Sequence, residues 1–191
     1  MAVDTIDVQG AKPLCISFNA QITAQTASAL MAAMANAMNN GCDDVHLLFS
    51  TPGGSVADGI ATYNMLRSLP ARLVTYNIGG VNSIGNVVYQ AGAHRVCAPT
   101  SSFMFHGVAT GTDGRRMELK QLKERVEHIK NDQSMISDII CRHTGIGLDD
   151  VNKLFLEMAF VSSQEALQRG IADEVREIKL PKGLPVQQLI F

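Results

Sequence analysis

An α/β fold with a mostly parallel, buried sheet follows from two features of this 191-residue sequence. Short apolar runs of strand length alternate with segments of helical period, and most changes of type are marked by Gly, Pro or a capping pair. Hydrophobic residues make up 46 % of the chain and charged residues only 18 %, which suits one sizeable core and excludes a disordered chain. Strand–helix alternation at this spacing implies right-handed βαβ crossovers. No linker or low-complexity tract divides the sequence, so residues 1–191 read as a single domain.

Leu14–Phe18 reads as the first strand and Ala24–Asn39 as an Ala- and Met-rich helix stopped by Asn40-Gly41. Met31, Met34 and Met38 share one face of that helix, where they pack. Val45–Ser50 is a short apolar strand. Ser55-x-x-Asp58 is a capping box that opens a helix, and Pro70 must end it. Arg72–Ile78 is the next strand, followed by Gly79-Gly80 and a short helix over Ile84–Ala91. Arg95–Ala98 and Phe103–His106 complete the strands of the first half.

From about Met117 to Arg142 nothing interrupts a helix, which at about 1.5 Å per residue is nearly 40 Å long. Leu119, Leu122, Val126, Ile129, Ile136 and Ile140 form a heptad-like stripe broken at Gln133. A helix longer than a small domain projects from it, so this stripe needs another subunit or a folded-back element; an ordinary long core helix is the alternative. A helix near Leu148–Phe155, the Ser162-x-x-Glu165 capping box, a helix ending at Gly170 and a strand over Ile171–Ile178 follow. The tail Leu184–Phe191 is apolar enough to dock on its own chain or on a neighbour.

Several function classes fall away. Lys+Arg (16) do not outnumber Asp+Glu (18), which argues against a nucleic-acid binder held by phosphate contacts. No apolar run reaches membrane-span length, and Met1–Val8 lacks the basic and apolar regions of a signal peptide. Cys15, Cys42, Cys97 and Cys141 are scattered, which fits free thiols in a reducing cytoplasm. His94 and Cys97 make half a metal site with no second pair, so no metal is expected.

Two glycine-rich turns follow strands. In Thr51-Pro52-Gly53-Gly54-Ser55, consecutive glycines free backbone N–H groups to face a bound group, next to a helix N-terminus. Neither the phosphate-loop Gly-Lys-Ser/Thr nor G-x-G-x-x-G is present, so the turn holds no nucleotide phosphate; a purely structural turn is the alternative. In Gly79-Gly80-Val81-Asn82-Ser83-Ile84-Gly85, Ser83 sits where a strand becomes a helix, the placement of an exposed nucleophile or of a simple N-cap. A serine needs a base to take its proton. His46 lies inside a strand, His94 begins one, and His128 and His143 belong to the long helix and its end. His106 ends the run Phe103-Met104-Phe105, so a parallel strand places it at the same carboxyl-end face as Ser83.

The run STPGGSVADGIATYNML, then GGVNSIGNVVYQAGAHRVCAPTSSFMFHG, HTG at 143–145 and FVSSQEALQRGIADEV at 160–175 resemble the proteolytic subunit of the caseinolytic Clp protease. The resemblance spans about Leu14 to Val175. It implies a ClpP/crotonase-like fold of stacked ββα repeats, with a head over about 1–112 and 145–191 and a long projecting handle helix over about 113–144. It further implies a serine endopeptidase that needs no cofactor, acting on polypeptides inside stacked, heptameric homo-oligomeric rings. Ser83 matches the family's nucleophile and His106 its general base. The amides of Gly54 and Ile84 match its oxyanion hole, whose preorganised donors stabilise charge on the attacked carbonyl. Gly53, Ser55, Val56, Gly107 and Val108 match the strand edges along which an extended peptide lies.

Two departures accompany the match. The aligned position of the family's triad aspartate holds Met158, which cannot accept the histidine Nδ1–H, and loss of a well-placed aspartate can lower kcat by about 10⁴. Glu157 is the neighbouring carboxylate, but on an extended segment it points to the opposite side. Three readings stay open here: Glu157 substitutes after a one-residue shift, a Ser–His dyad acts alone, or the subunit is a weak or silent ring scaffold. The amino-terminal arm is also short, which argues against docking of the separate ATPase unfoldase, and the chain carries no Walker motif. The same scaffold also suits a Ser–Lys peptidase of the signal-peptide-peptidase type, with Lys120, Lys123 or Lys130 as base. A crotonase-like acyl-CoA enzyme shares the fold and the two-amide oxyanion hole, but the short chain and the serine–histidine placement disfavour it.

Overall fold

The computed structural model describes residues 12–111, 114 and 116–191. The short amino-terminal arm, and positions 112, 113 and 115 at the expected start of the handle, lie outside the described residues. Strands β1 (Pro13–Asn19), β2 (Asp44–Thr51) and β3 (Arg72–Asn82) lie side by side in parallel, with Asp44 opposite both Pro13 and Arg72. Helices α1 (Ala24–Asn39) and α2 (Val56–Ser68) are the crossovers. Helix α3 (Gly85–Tyr89) follows β3. The far edge of β3 serves two neighbours in succession. Val74–Asn77 pair with β4 (His94–Cys97), and Gly80–Asn82 pair with β5 (Ser102–Met104).

Helix α4 spans Leu119–Thr144 and α5 Leu148–Leu156; then β6 (Phe160–Ser162) adds to β5 antiparallel. Helix α6 (Ser163–Gln168) leads to β7 (Glu174–Val175) beside β4, and β8 (Val186–Gln188) runs parallel to β1. The chain therefore adopts the expected α/β class, with a mostly parallel sheet and one long helix.

Local chemistry sets the element ends. Thr23 and Thr26 cap α1 reciprocally, and Leu30 and Met34 on its inner face are fully buried, worth about 1.5–3 kcal/mol each. Ser162 and Glu165 form both halves of their capping box. The box expected at Ser55 is only half made: its Oγ accepts the Asp58 N–H at 3.3 Å, but its own N–H donates to the Ile22 carbonyl at 2.9 Å. That diversion ties the glycine turn to the segment after β1.

Two expectations change, and one open choice is resolved. The strand expected to end at His106 stops at Met104: the Phe105 N–H still reaches the Ala159 carbonyl at 2.9 Å, but the Ala159 N–H returns to the Leu154 carbonyl and the ladder goes no further. His106 therefore stands two residues past the sheet. The strand expected over Ile171–Ile178 shortens to Glu174–Val175, since the Asp173 carboxylate just before it is held by the Arg95 N–H and guanidinium. The tail docks on its own chain: the Leu189 N–H reaches the Ser17 carbonyl at 3.0 Å and the Phe191 ring meets Phe18 edge-on at 5.5 Å.

The apolar stripe of α4 divides along its length. Ile136, Ile139 and Ile140 are buried, whereas Leu122 and Val126 are exposed and Leu119 is 68 % exposed. Glu118 and Gln121 cap the free end reciprocally, and Gly145, with φ +75°, closes the packed end.

Candidate active site

The glycine turn and the Ser83 turn meet because both follow neighbouring parallel strands. Ser83 has φ +57°, a left-handed conformation that costs a non-glycine residue on the order of 1–2 kcal/mol. The cap position of α3 falls to Ile84, not to Ser83, and no side chain caps it. Among the described residues the Ser83 Oγ makes no hydrogen bond, so it is not an N-cap. Its N–H donates to the Met104 carbonyl at 2.8 Å, which fastens the turn to the end of β5.

Gly53 lies directly against Ser83. A Cβ at Gly53 would stand 2.6 Å from the Ser83 Cβ and 3.0 Å from the Asn82 carbonyl, and its φ of +97° also favours glycine. A Cβ at Gly54 would stand 2.0 Å from the Ile22 carbonyl. Ile22 bridges Gly54 in parallel, using the Gly53 carbonyl at 2.8 Å and the Ser55 N–H at 2.9 Å. In a parallel bridge the central residue's own N–H points away from its partner. Among the described residues neither the Gly54 nor the Ile84 N–H has a hydrogen-bond acceptor.

His106 is half-buried, and its Nδ1 lies 2.8 Å from the Gly107 carbonyl. A carbonyl oxygen only accepts, so Nδ1–H donates this bond, and a neutral ring in this tautomer has its lone pair on Nε2. The imidazole and the Ser83 hydroxyl are not hydrogen-bonded to each other; such contacts are often loose without substrate and tighten when it binds. Among the described residues no carboxylate lies within ion-pair distance of His106.

Beyond the last paired residues, Met104 opposite Phe160, the Phe105 N–H bonds the Ala159 carbonyl at 2.9 Å, but the Ala159 N–H turns back to the Leu154 carbonyl at 3.1 Å, so the ladder ends one residue short of Met158. Met158 is 62 % exposed with φ +51°. Glu157 is not on an extended segment, as the sequence suggests. It is the helical C-cap of α5, with φ −83° and ψ −6°, and the left-handed Met158 that follows turns the chain out of the helix. Glu157 opens instead onto a cleft of about 880 Å³ that includes Lys153 and Arg169 and none of the expected site residues. Size alone therefore does not locate the chemistry.

A smaller cleft of about 420 Å³ does join expected residues: Gly54, Ser55 and Val56 on one side, and Val108 on the other. Arg125 of α4 holds its outer wall, bonding Thr110 Oγ1 at 3.0 Å and the Gly111 carbonyl. Gly53 and Gly107 stand behind these edges, Gly53 against Ser83 and Gly107 as the acceptor for His106. The candidate lysines are elsewhere. Lys120 and Lys130 pair with Glu124 and Glu127 of their own helix, and exposed Lys123 lies on the same surface. A lysine base needs a neutral amine, which burial favours and exposure does not. The buried thiols are equally unsuited to attack: burial pushes Cys15 and Cys97 up to about 11.

Asn86 is the site residue that sequence reasoning misses. The only signal is a short polar side chain inside the apolar run Ile84–Ala91. Its Nδ2 donates to the Ser83 carbonyl at 3.0 Å and to the Met104 carbonyl at 2.9 Å.

Among protein families, the model described as Clp protease matches residues 6–179. That span takes in both glycine turns, His106, all of α4 and the segment around Met158.

Proposed function

The chain belongs to the Clp protease family, and from that premise we propose that it is a peptide-cleaving serine hydrolase subunit working through a Ser83–His106 dyad. The observation that carries this reading is Ser83 itself: a strained, left-handed residue on a strand-to-helix turn, its hydroxyl uncommitted, fastened to the strand that leads to His106. Strained backbone of this kind persists where the surroundings over-determine it, and it clusters at sites of chemistry.

In this reading a peptide lies in the cleft between Ser55–Val56 and Val108. The Ser83 Oγ attacks the scissile carbonyl as His106 Nε2 takes its proton. The Gly54 and Ile84 amides stabilise the oxyanion. His106 then returns the proton to the leaving amine, and water attacks the acyl-enzyme by the same route in reverse. The Gly107 carbonyl supplies part of what an aspartate would: it fixes the tautomer and ring orientation. A carbonyl dipole stabilises the imidazolium less than a carboxylate does, so turnover is slow. The uncovered half of the α4 stripe supports assembly through that helix with further copies of the chain, which the family's ring-forming habit also suggests. No helix among the described residues is long and apolar enough to cross a membrane.

Met158 favours a second reading, a ring subunit without turnover. Labelling with a fluorophosphonate probe separates the two. The hydrolase reading expects labelling that vanishes in Ser83→Ala and falls sharply in His106→Ala. A folded wild-type protein that takes no probe would favour the scaffold, and labelling that survives His106→Ala but not a lysine substitution would favour the Ser–Lys dyad.

A further inference from the structure

Resting on the Ser83 hydrolase reading, we propose that Asn86 is a positioning residue that clamps the nucleophile turn to the strand carrying the base. Its side chain is 1 % exposed and lies on α3, immediately beneath the turn. One amide nitrogen spans two elements: it donates to the carbonyl of Ser83 and to that of Met104, the residue two positions before His106. Both partners are carbonyls, which accept only, so the amide orientation is fixed by chemistry. The Met104 carbonyl already receives the Ser83 N–H. Asn86 therefore closes a second link over the same gap and braces both sides of a backbone that is strained at Ser83.

The other half of the amide argues that this link is functional. Asn86 Oδ1 is buried and without a hydrogen-bond partner, the one such side-chain atom among the described residues. A buried acceptor left unmade destabilises the fold, and an apolar side chain of similar shape avoids that loss. If Asn86 served packing alone, leucine would do better. What leucine cannot supply is the donor that holds the Ser83 turn and the end of β5 in register. A shift of about 1 Å between reacting groups costs about a hundredfold in rate.

The test compares fluorophosphonate labelling rates with melting temperatures. Asn86→Leu should melt at or above the wild-type temperature yet label about 100-fold more slowly. Asn86→Ala should couple to the base. His106→Ala slows the wild-type protein strongly, but in the Asn86→Ala background it should add less than about threefold, because the base is already out of place. Asn86→Asp supplies a pH signature that does not depend on the leucine variant folding. Ionised aspartate donates nothing and protonated aspartate donates one bond. Its labelling, taken relative to wild type at the same pH, should therefore recover as pH falls. Asn86→Leu at the wild-type rate, multiplying losses in the Asn86→Ala and His106→Ala double variant, or an Asn86→Asp profile parallel to wild type would each overturn the proposal. A wild-type protein that takes no probe removes the hydrolase reading and this inference with it; a labelled wild type with indifferent Asn86 variants removes the inference alone.

Discussion

The parallel strands carry a histidine near each end, and the two differ in the properties that decide whether an imidazole can do chemistry. Toward the amino end, His46 is fully buried between the Asp44 carboxylate (3.3 Å from Nε2) and the Tyr76 hydroxyl (2.9 Å from Nδ1), with Arg72 on the far side of Asp44 at 3.3 Å. Past the carboxyl end, the half-buried His106 ring bonds a backbone carbonyl, with no side-chain partner among the described residues. The sealed end thus holds acid, histidine and hydroxyl in sequence, while among the described residues no acid pairs with the histidine of the open end. Burial pulls His46 below its ordinary range, even though Asp44 pulls the other way. Residue types alone do not make a site. Access, strained backbone and free amides do, and those belong to the Ser83 end.

The contrast breaks most sharply under alanine substitution. His106→Ala should reduce peptide hydrolysis by about 10³-fold or more while leaving the melting temperature nearly unchanged. His46→Ala should destabilise the fold by about 2–4 kcal/mol, because it empties a buried site and takes one hydrogen-bond partner each from the Asp44 carboxylate and the Tyr76 hydroxyl, yet leave the specific activity of the folded fraction intact. Activity assays paired with urea unfolding decide the matter. An active His106→Ala protein, or a His46→Ala protein that is stable but inactive, would reverse the assignment of the two ends.

Returning an acid to the open end sharpens the comparison. Among the described residues, Ser83 and Met158 are the two non-glycine positions with left-handed backbone. Asp tolerates that region better than Met, and position 158 lies two residues before Phe160, the partner of Met104, which itself lies two residues before His106. Met158→Asp should therefore raise kcat by about tenfold without loss of stability, a modest part of what a fully evolved aspartate supplies. Steady-state kinetics on a chromogenic peptide measures it. An unchanged kcat would mean that position 158 does not face the imidazole.

How far such details are readable from the sequence depends on their range. Helix α1 is legible to the residue because its apolar spacing and its Asn40-Gly41 stop are local. The placement of Ser83 at a strand-to-helix turn is legible for the same reason. The early end of β5 is not, since it depends on the N–H of Ala159, far along the chain, turning back to Leu154 instead of joining the ladder. Nor is the halved box at Ser55, which loses its N–H to Ile22. The backbone at Glu157 and Met158 reads as extended only because an aligned position carries no dihedral angles; α5 runs on to Leu156 and closes at Glu157. Asn86 and the Gly107 carbonyl are invisible in a stronger sense. One makes its bonds only after two strands and a helix converge, and the other acts through a backbone atom every residue has.

The two histidines lowered by burial give the comparison a pH axis. His46 is pulled down chiefly by desolvation, and so is His143, which bonds the Tyr63 hydroxyl at 2.7 Å and faces Arg67, Arg95 and Arg142. Each stays neutral in the folded protein at pH values where the unfolded chain takes up a proton. Unfolding then absorbs protons, so stability is complete above about pH 6.5 and declines as pH falls through that value toward the depressed folded-state pKa. For buried His46 the slope approaches about 1.4 kcal/mol per pH unit. Urea unfolding at about pH 7.5 and about pH 5.5, on either side of the ordinary histidine value, should show the decline, reduced in His143→Gln. A wild-type stability that is flat over this range would contradict the burial account of both residues.

The smallest expected effect concerns the missing acid at the open end. Glu157 neighbours the position where the family keeps its acid, and sequence alone leaves it as a substitute. The geometry argues otherwise. Its carboxylate belongs to the C-cap of α5 and faces the cleft shared with Lys153 and Arg169. Removing its charge alters neither the Nδ1–H bond to Gly107 nor the amides of Gly54 and Ile84. Glu157→Gln should therefore hold kcat/KM within about twofold of wild type, as surface substitutions away from a site usually do. Loss of activity approaching that of His106→Ala would mean that α5 unwinds at its last turn when peptide binds and delivers Glu157 to the imidazole. The dyad would then become a triad assembled by substrate.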